Sequence, residues 1–385
     1  MLSGYLGTMR TLLHDPAFAV EKMGTVDLTK FPTDLSGEED KKELKARVDK
    51  DKERIIELQE LLFATDSHAL LLVFQAMDAS GKDSCIRHVL GGLDPQGCQV
   101  WSFKAPSAEE RDHDFLWRHA RALPERGRIG IHNRSHYEEV VVTRVHPEFV
   151  LAQRIPGIDH PDRVDRAFWQ QRFATIRSFE EHLAREGTVI MKFFLHMGRA
   201  AQKERFLERI QDPEKRWKFN AGDVKERAHW NAYQQAYSEA IGATAGPHAP
   251  WYIVPADEQW ESRALVARLI RERLESMELK PLEPVKRVTH TESGAWFVIE
   301  KLSPEAYQAL RKQSLKPDGV DSILFAKKVC AKIIRDWGNV AEPCTEETKV
   351  RFGAAFAFNI VPWIVDEAMS IDDMIRAEEL EGKGS

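Results

Sequence analysis

Six consecutive residues without a polar side chain, Ala69-Leu70-Leu71-Leu72-Val73-Phe74, run almost directly into the loop Ala76-Met77-Asp78-Ala79-Ser80-Gly81-Lys82-Asp83. An apolar run this short, bounded by turn-prone residues, suits a strand buried on both faces of a parallel sheet. Strand-like segments recur at 99–103, 129–132, 188–195 and 251–254. Helical spacing separates them at 83–90, 109–123, 164–185, 202–210, 223–241 and 258–278. Alternation of this kind implies a doubly wound α/β sheet. Ahead of it, residues 1–67 read as a polar N-terminal helical arm. Ser36 with Glu38 and Glu39 reads as a helix start there, and 44–62 has helical apolar spacing.

The loop occupies the place where a phosphate-binding loop belongs, between a buried strand and a helix. Small residues let backbone N–H groups face phosphate, the helix N-terminus adds positive dipole, and Lys82 neutralises phosphate oxygens. The general spacing is GxxxxGK[ST]; Ala76 replaces its first glycine and Asp83 its hydroxyl residue. On these residues alone, a helix start with a chance Gly-Lys stays open. Asp78 and Asp83 put two carboxylates into an anion-binding loop, which points to an intervening Mg²⁺. For Asp83, a plain helix-dipole contact is an equal alternative.

A second polar cluster follows the expected strand at 129–132: Asn133-Arg134-Ser135-His136-Tyr137-Glu138, preceded by Arg126, Arg128 and, further upstream, Arg118 and Arg121. Open α/β sheets bind ligands at the carboxyl ends of their strands. Here the sequence resembles the family-2 polyphosphate kinases. The Asp-Ala-Ser-Gly-Lys-Asp loop and Asn133-Arg134-Ser135-His136-Tyr137-Glu138 match that family's motifs in order and spacing. So do Asp94-Pro95-Gln96-Gly97, Ser102-Phe103-Lys104-Ala105-Pro106 and Lys192-Phe193-Phe194-Leu195-His196. Asp212-Pro213-Glu214-Lys215-Arg216-Trp217-Lys218-Phe219 and His248-Ala249-Pro250-Trp251-Tyr252 match as well. The resemblance spans roughly residues 25–278.

The resemblance implies an α/β P-loop kinase fold of the thymidylate-kinase type, a three-layer parallel sheet with a helical lid. It implies Mg²⁺ dependence, with Mn²⁺ as a substitute, and reversible transfer between inorganic polyphosphate and AMP, ADP or ATP. It implies a catalytic set of Asp78, Lys82, Asn133 and Arg134, with Asp78 and Asp83 on the metal. Phosphate contacts fall to Ala79, Ser80, Gly81, Lys82, Asp83, Ser84, Lys104, Arg118, Arg134, Lys215, Arg216 and Lys218. Nucleotide contacts fall to Asn133, Arg134, Trp117 and Glu138. Asn133 stands where other branches carry Asp, in a form similar to the branch that accepts both nucleoside mono- and diphosphates. Departures from the family pattern are Ala76 for Gly, Ser84 where Gly is usual and His132 where Phe is usual. His136 is expected to be a structural hydrogen-bonder. Residues 211–227, with Lys215, Arg216, Lys218, Lys225 and Arg227 beside Trp217 and Phe219, are expected to form the lid; a charged surface loop is the alternative.

The boundaries expected are 1–67 for the arm, 68–280 for the kinase domain and 285–385 for a small α-rich extension of unknown role, an oligomerisation element among its readings. Within it, 295–301 is expected as a strand, Ser303-Pro304-Glu305 as a helix start, and 321–337 and 346–376 as helices. The four cysteines are scattered without CxxC spacing, which suits a reduced, cytoplasmic setting. A net charge of −6 argues against a bulk nucleic-acid binder but leaves room for a local basic surface that takes a linear polyanion. No apolar run is long enough to span a membrane, and a homo-oligomer, dimer or tetramer, is expected. Two competing functions remain: an ATP-dependent nucleotide kinase, and a polyphosphate-binding module without catalysis.

Overall fold

The computed structural model describes residues 11–35, 40–214, 216, 221–277, 279, 285–316, 319–338, 340 and 343–370. Two compact units divide the chain, Met1–Pro281 and Leu282–Ser385.

In the first unit, β1 (Ala19–Val20) precedes α1 (Lys41–Thr65), β2 (Ala69–Ala76), α2 (Lys82–Leu90) and β3 (Cys98–Ser102). Then come α3 (Ala108–Arg111), α4 (Trp117–Ala120), β4 (Ile129–Asn133), α5 (Glu138–Val145), α6 (Glu148–Leu151) and α7 (Arg166–Arg185). The unit ends with β5 (Thr188–His196), α8 (Arg199–Gln211), α9 (Ala221–Ala228), α10 (Trp230–Thr244), β6 (Trp251–Pro255) and α11 (Gln259–Ser276). The sheet order is β1-β6-β5-β2-β4-β3. Its five long strands run parallel, and β1 alone pairs antiparallel, on β6. Chain direction across the sheet reverses at β2, so a ligand crevice opens at the carboxyl end of that strand.

The apolar run 69–74 is buried throughout because successive side chains enter opposite layers. Leu70, Leu72 and Phe74 join a core with α1, α2 and α11 through Leu62, Val89 and Leu269. Leu71 and Val73 join the other core with α5, α7 and α10 through Val140, Ile176 and Ile241. This is the three-layer sandwich expected. The segment expected as an arm supplies α1 to the first core, where Asp51 also pairs with Arg271 at 2.7 Å.

Several elements differ from expectation. The helix expected at 109–123 breaks into α3 and α4, because the Asp114 carboxylate takes the Leu116 N–H (2.9 Å) that a continuous helix would use. The helix expected at 223–241 breaks at His229 into α9 and α10. α5 and α6, at 138–151, have no counterpart in the expected pattern. The helix start read at Ser36 lies outside the described residues; the described cap is Asp40, whose side chain accepts from Lys42 N–H.

The second unit holds β7 (Val285–Thr289), β8 (Trp296–Glu300), α12 (Pro304–Lys312), β9 (Leu315–Lys316), β10 (Gly319–Val320), α13 (Ser322–Ile333), β11 (Ile334–Gly338), α14 (Glu346–Ala355) and α15 (Ile360–Met369). Ser303 caps α12 as read from the sequence. The helix expected over 321–337 stops at Ile333; residues 334–338 instead form β11 in the antiparallel sheet β11-β8-β7. The helix expected over 346–376 is interrupted between Ala355 and Ile360, and its last residues, 371–376, lie outside the described set. Phe297, Val329, Ile333, Trp337 and Ile364 anchor a core of this unit's own.

Candidate active site

The loop from Met77 to Gly81 is shaped by backbone conformation first. Ala79 (φ 65°) and Gly81 (φ 88°) are both left-handed, a region that a Cβ disfavours, so a side chain at position 81 would be strained. Two side chains of α8 hold the loop from outside. Gln202 Nε2 donates to the Asp78 carbonyl (2.8 Å). Arg205 donates to the carbonyls of Ala79 (3.0 Å), Ala256 (2.6 Å) and Asp257 (2.9 Å). With these carbonyls committed to α8, the first N–H groups of α2, which have no intrahelical partner, are left for a ligand.

At the start of α2, Lys82 Nζ donates to Asn133 Oδ1. The other end of that amide, Asn133 Nδ2, donates to Asp83 Oδ1 (2.6 Å). Asn133 therefore bridges a cation and an anion, using both the acceptor and the donors of a neutral amide. Burial lowers the Lys82 pKa from the usual lysine value and Asp83 opposes that shift. Next to it Arg134 is left-handed (φ 66°), and its N–H reaches back to the Phe74 carbonyl (3.1 Å). Strained backbone of this kind persists where the surroundings enforce it. It carries the Arg134 guanidinium to 3.9 Å from both Asp78 and Glu138.

The turn behind Arg134 is pinned from below. His136 Nε2 lies 3.2 Å from Glu180. Lys192 Nζ donates to Glu180 (2.6 Å), to the Tyr137 hydroxyl (2.9 Å) and to the Thr244 carbonyl (2.9 Å). Through these bonds among buried groups, His136, Tyr137 and Lys192 hold the motif in place from the interior.

Asp78 through Ser84, together with Arg134 and Glu138, line a cleft of about 630 Å³. The same cleft is lined by Arg209, Asp223, Glu226 and Arg227, and by Val142, His146, Phe149 and Tyr233. Arg209 pairs with Asp223 (3.4 Å), and Arg227 donates to Gln202 (2.6 Å). Burial raises the Asp78 pKa, and Glu226 adds to the rise; burial and then Asp78 raise that of Asp223. Burial also pushes Glu226 upward, yet hydrogen bonds from Tyr233 (2.7 Å) and His146 (2.9 Å) hold it below the usual carboxylate value.

Other expected site residues stand elsewhere. Arg118 is buried, with its guanidinium engaged by the Lys104 carbonyl (2.7 Å), Glu139 (3.4 Å) and Glu110 (3.8 Å). Lys104 itself is exposed. Trp117 stacks between His113 (3.8 Å) and Arg121 (4.7 Å). None of the three lines the cleft. Arg216 is exposed and donates to the Ile210 carbonyl; Lys215 and Lys218 lie outside the described residues. Sequence reasoning does not single out Gln202, Arg209, Asp223, Glu226 or Phe149. The i, i+3 spacing of Asp223 and Glu226 on one helix face is the signal that could have found two of them.

Residues 38–281 match the model of the Polyphosphate kinase 2 (PPK2) family. The chain belongs to that family. An "ADP-polyphosphate phosphotransferase" of Rhodopseudomonas palustris is 48% identical over 267 residues, covering 68% of this chain and 90% of that protein. An "AMP/ADP-polyphosphate phosphotransferase" of Meiothermus ruber is 43% identical, covering 60% and 81%. The crystal structure of polyphosphate kinase 2 from Arthrobacter aurescens TC1 is 36% identical, with a TM-score of 0.59 over 72% of this chain and 88% of that one. The fold is that of a P-loop kinase and the chain is a polyphosphate kinase. Its second unit lies beyond the end of the family match. Among the described residues, no helix is long and apolar enough to cross a membrane, and no group of three or more His, Cys, Asp or Glu side chains is set to hold a metal ion.

Proposed function

We propose that this chain transfers a phosphoryl group, reversibly and with Mg²⁺, between inorganic polyphosphate and nucleoside mono- or diphosphates. The observation that carries the reading is the Lys82–Asn133–Asp83 relay under the phosphate loop, with Arg134 beside the same cleft. Phosphoryl transfer needs positioning and charge stabilisation more than covalent help from the protein. Lys82 and the N–H groups of α2 neutralise the transferring group, while Arg134 and Arg209 match the oxygens of the flanking phosphates. Release of Arg209 from Asp223 by an incoming phosphate would let α9 close over the cleft and exclude water. Phe149, 50% exposed, with Val142 and Tyr233 offers an apolar ledge for the acceptor base.

The residues fit a divalent ion. Asp78, Asp223 and Glu226 line one cleft, and burial raises the pKa of Asp78 and of Asp223 against the pull of neighbouring arginines. Mg²⁺ is held by one or two carboxylates together with substrate phosphates, a role that falls to Asp78 and Asp83. When bound, the ion neutralises charge on the phosphate oxygens. In the names of the two relatives the acceptor is ADP in one and AMP or ADP in the other; both acceptors are proposed here. The active form is proposed to be a homo-oligomer.

The test is to incubate the protein with Mg²⁺, polyphosphate and either AMP or ADP, following ADP and ATP, with a parallel reaction that offers ATP as donor to AMP. Product from polyphosphate supports the reading. Product from ATP alone would make the chain an ordinary nucleotide kinase, and none from either donor would make it a binding module.

A further inference from the structure

This net negative chain carries a strongly positive stretch beyond the end of the family match. Residues 311–332 hold Arg311, Lys312, Lys316, Lys327, Lys328 and Lys332 against Asp318 and Asp321. The fold gathers several of these cations on the α12–α13 side of the second unit. Ring contact between Tyr307 and Phe325 (5.4 Å) locks the two helices together. Lys328 Nζ reaches the Gln313 carbonyl (3.1 Å) at the end of α12, next to Arg311 and Lys312. Lys332 lies one turn beyond Lys328 on the same face, because Ala326, Val329, Cys330 and Ile333 are the residues of α13 turned to the core. Among the described residues, the one acid paired with any of the six is Asp321, 2.7 Å from Lys316.

Cations in the last turn of a helix complement its dipole. That accounts for Arg311, Lys312 and Lys332, but not for Lys316, Lys327 and Lys328. Like charges gathered on one side of a unit repel one another unless a polyanion joins them. We propose that this surface is a second docking site for inorganic polyphosphate, holding a long chain on the enzyme while the cleft works on part of it. The inference rests on the function proposed above. Polyphosphate is favoured over nucleic acid for two reasons. The other unit of the same chain belongs to a polyphosphate kinase family. In addition, the aromatic rings of the surface, Tyr307 and Phe325, pack against the core, whereas sequence-tolerant binding of single strands uses exposed rings for base stacking. A polyanion long enough to touch both units gains affinity through effective concentration, and a short oligomer does not.

The test uses the full-length protein with Arg311→Gln, Lys312→Gln and Lys332→Gln combined, three side chains outside the cleft. With ADP as acceptor, KM for long-chain polyphosphate should rise about 5–10-fold by loss of the second contact. KM for tripolyphosphate and kcat should stay unchanged. The dependence of log binding on log salt should flatten by about 2 for long chains, at roughly 0.7 per cation removed. A charge-keeping set, Arg311→Lys, Lys312→Arg and Lys332→Arg, should restore the long-chain KM, which separates lost charge from damaged packing. Equal KM shifts for long and short donors, or none for either, overturn the proposal. So does displacement of long-chain polyphosphate from the acceptor-free protein by single-stranded RNA at equal phosphate concentration, which would assign the surface to nucleic acid. Absence of turnover with any polyphosphate would fail the proposed function instead, and acceptor-free binding of polyphosphate to this surface remains measurable in that case.

Discussion

At the residue scale, three side chains are tied to one another at the phosphate loop. Lys82 is the cation at the start of α2, held by the Asn133 carbonyl oxygen while the same amide donates to Asp83. Lys82→Ala should cut kcat/KM by roughly 10²-fold or more, since comparable electrostatic contacts are worth about 3–4 kcal/mol; a value within about threefold of wild type would remove Lys82 from the mechanism. From the sequence Asn133 is expected to meet the acceptor, yet its amide is committed to the relay and does not line the cleft. Asn133→Asp would set one carboxylate against another where a 2.6 Å hydrogen bond now stands. Rates with AMP and ADP should therefore fall together, about tenfold, a loss of roughly 1.4 kcal/mol, leaving the ratio of their kcat/KM values unchanged. A changed ratio would return Asn133 to acceptor selection. Burial lowers the Lys82 pKa, and kcat/KM reports the free enzyme. Its alkaline limb should thus fall below the ordinary lysine value of about 10.4, and in Lys82→Arg any residual activity should lack that limb. For stability the sign is opposite to that of an ordinary ion pair. The unfolded chain binds this proton more tightly, so Lys82 contributes rising stability as pH climbs from the lowered folded pKa to the ordinary lysine value.

Elements matter through what they brace. α8 is part of the outer layer, yet Gln202 and Arg205 on it hold the phosphate loop by its carbonyls. Arg205 also ties down the end of β6 through Ala256 and Asp257. Arg205→Met would leave three carbonyls without their charged donor. It should cost about 2–4 kcal/mol of stability, because an unpaired buried acceptor carries its full desolvation penalty. The urea midpoint should drop with the slope unchanged, and a loss under about 1 kcal/mol would show that water replaces the guanidinium. α9 presents Asp223 and Glu226 to the cleft beside Arg227. The basic residues of 211–227 are legible in the sequence as candidates for a lid. The two acids are not, because their partners Arg209, His146 and Tyr233 come from three other helices or helix ends.

For the whole molecule, two sets of cores share no buried residue: the sheet cores of the first unit and the Phe297–Trp337 core of the second. A chain ending at Glu283 should therefore stay folded and keep its kcat with tripolyphosphate and AMP. Loss of folded protein on that truncation, read by circular dichroism and size exclusion, would show that the second unit completes the first. The full-length protein should unfold in two transitions, as multi-domain chains do when their cores are separate.

The doubly wound sheet and its loop are legible in the sequence alone, because both are written in local periodicity. The run 69–74 has no polar residue to expose, a Gly-Lys follows it, and Pro281 and Pro284 punctuate the end of the alternation. Ser303 is equally readable as a cap, since an N-cap bonds within its own helix turn. What escapes such a reading depends on contacts distant in the chain. Residues 334–338 are a strand because β8 lies ready to pair with them. Arg118 carries the charge expected of a phosphate ligand, and burial beside Glu139 withdraws it from the cleft. Asn133 and Asp83 meet across fifty residues of chain, at a distance set by how β4 lies beside β2. Local pattern specifies which backbone can form. Which side chains share one cleft is settled by the order of strands in the sheet, a long-range arrangement that no short window of residues contains.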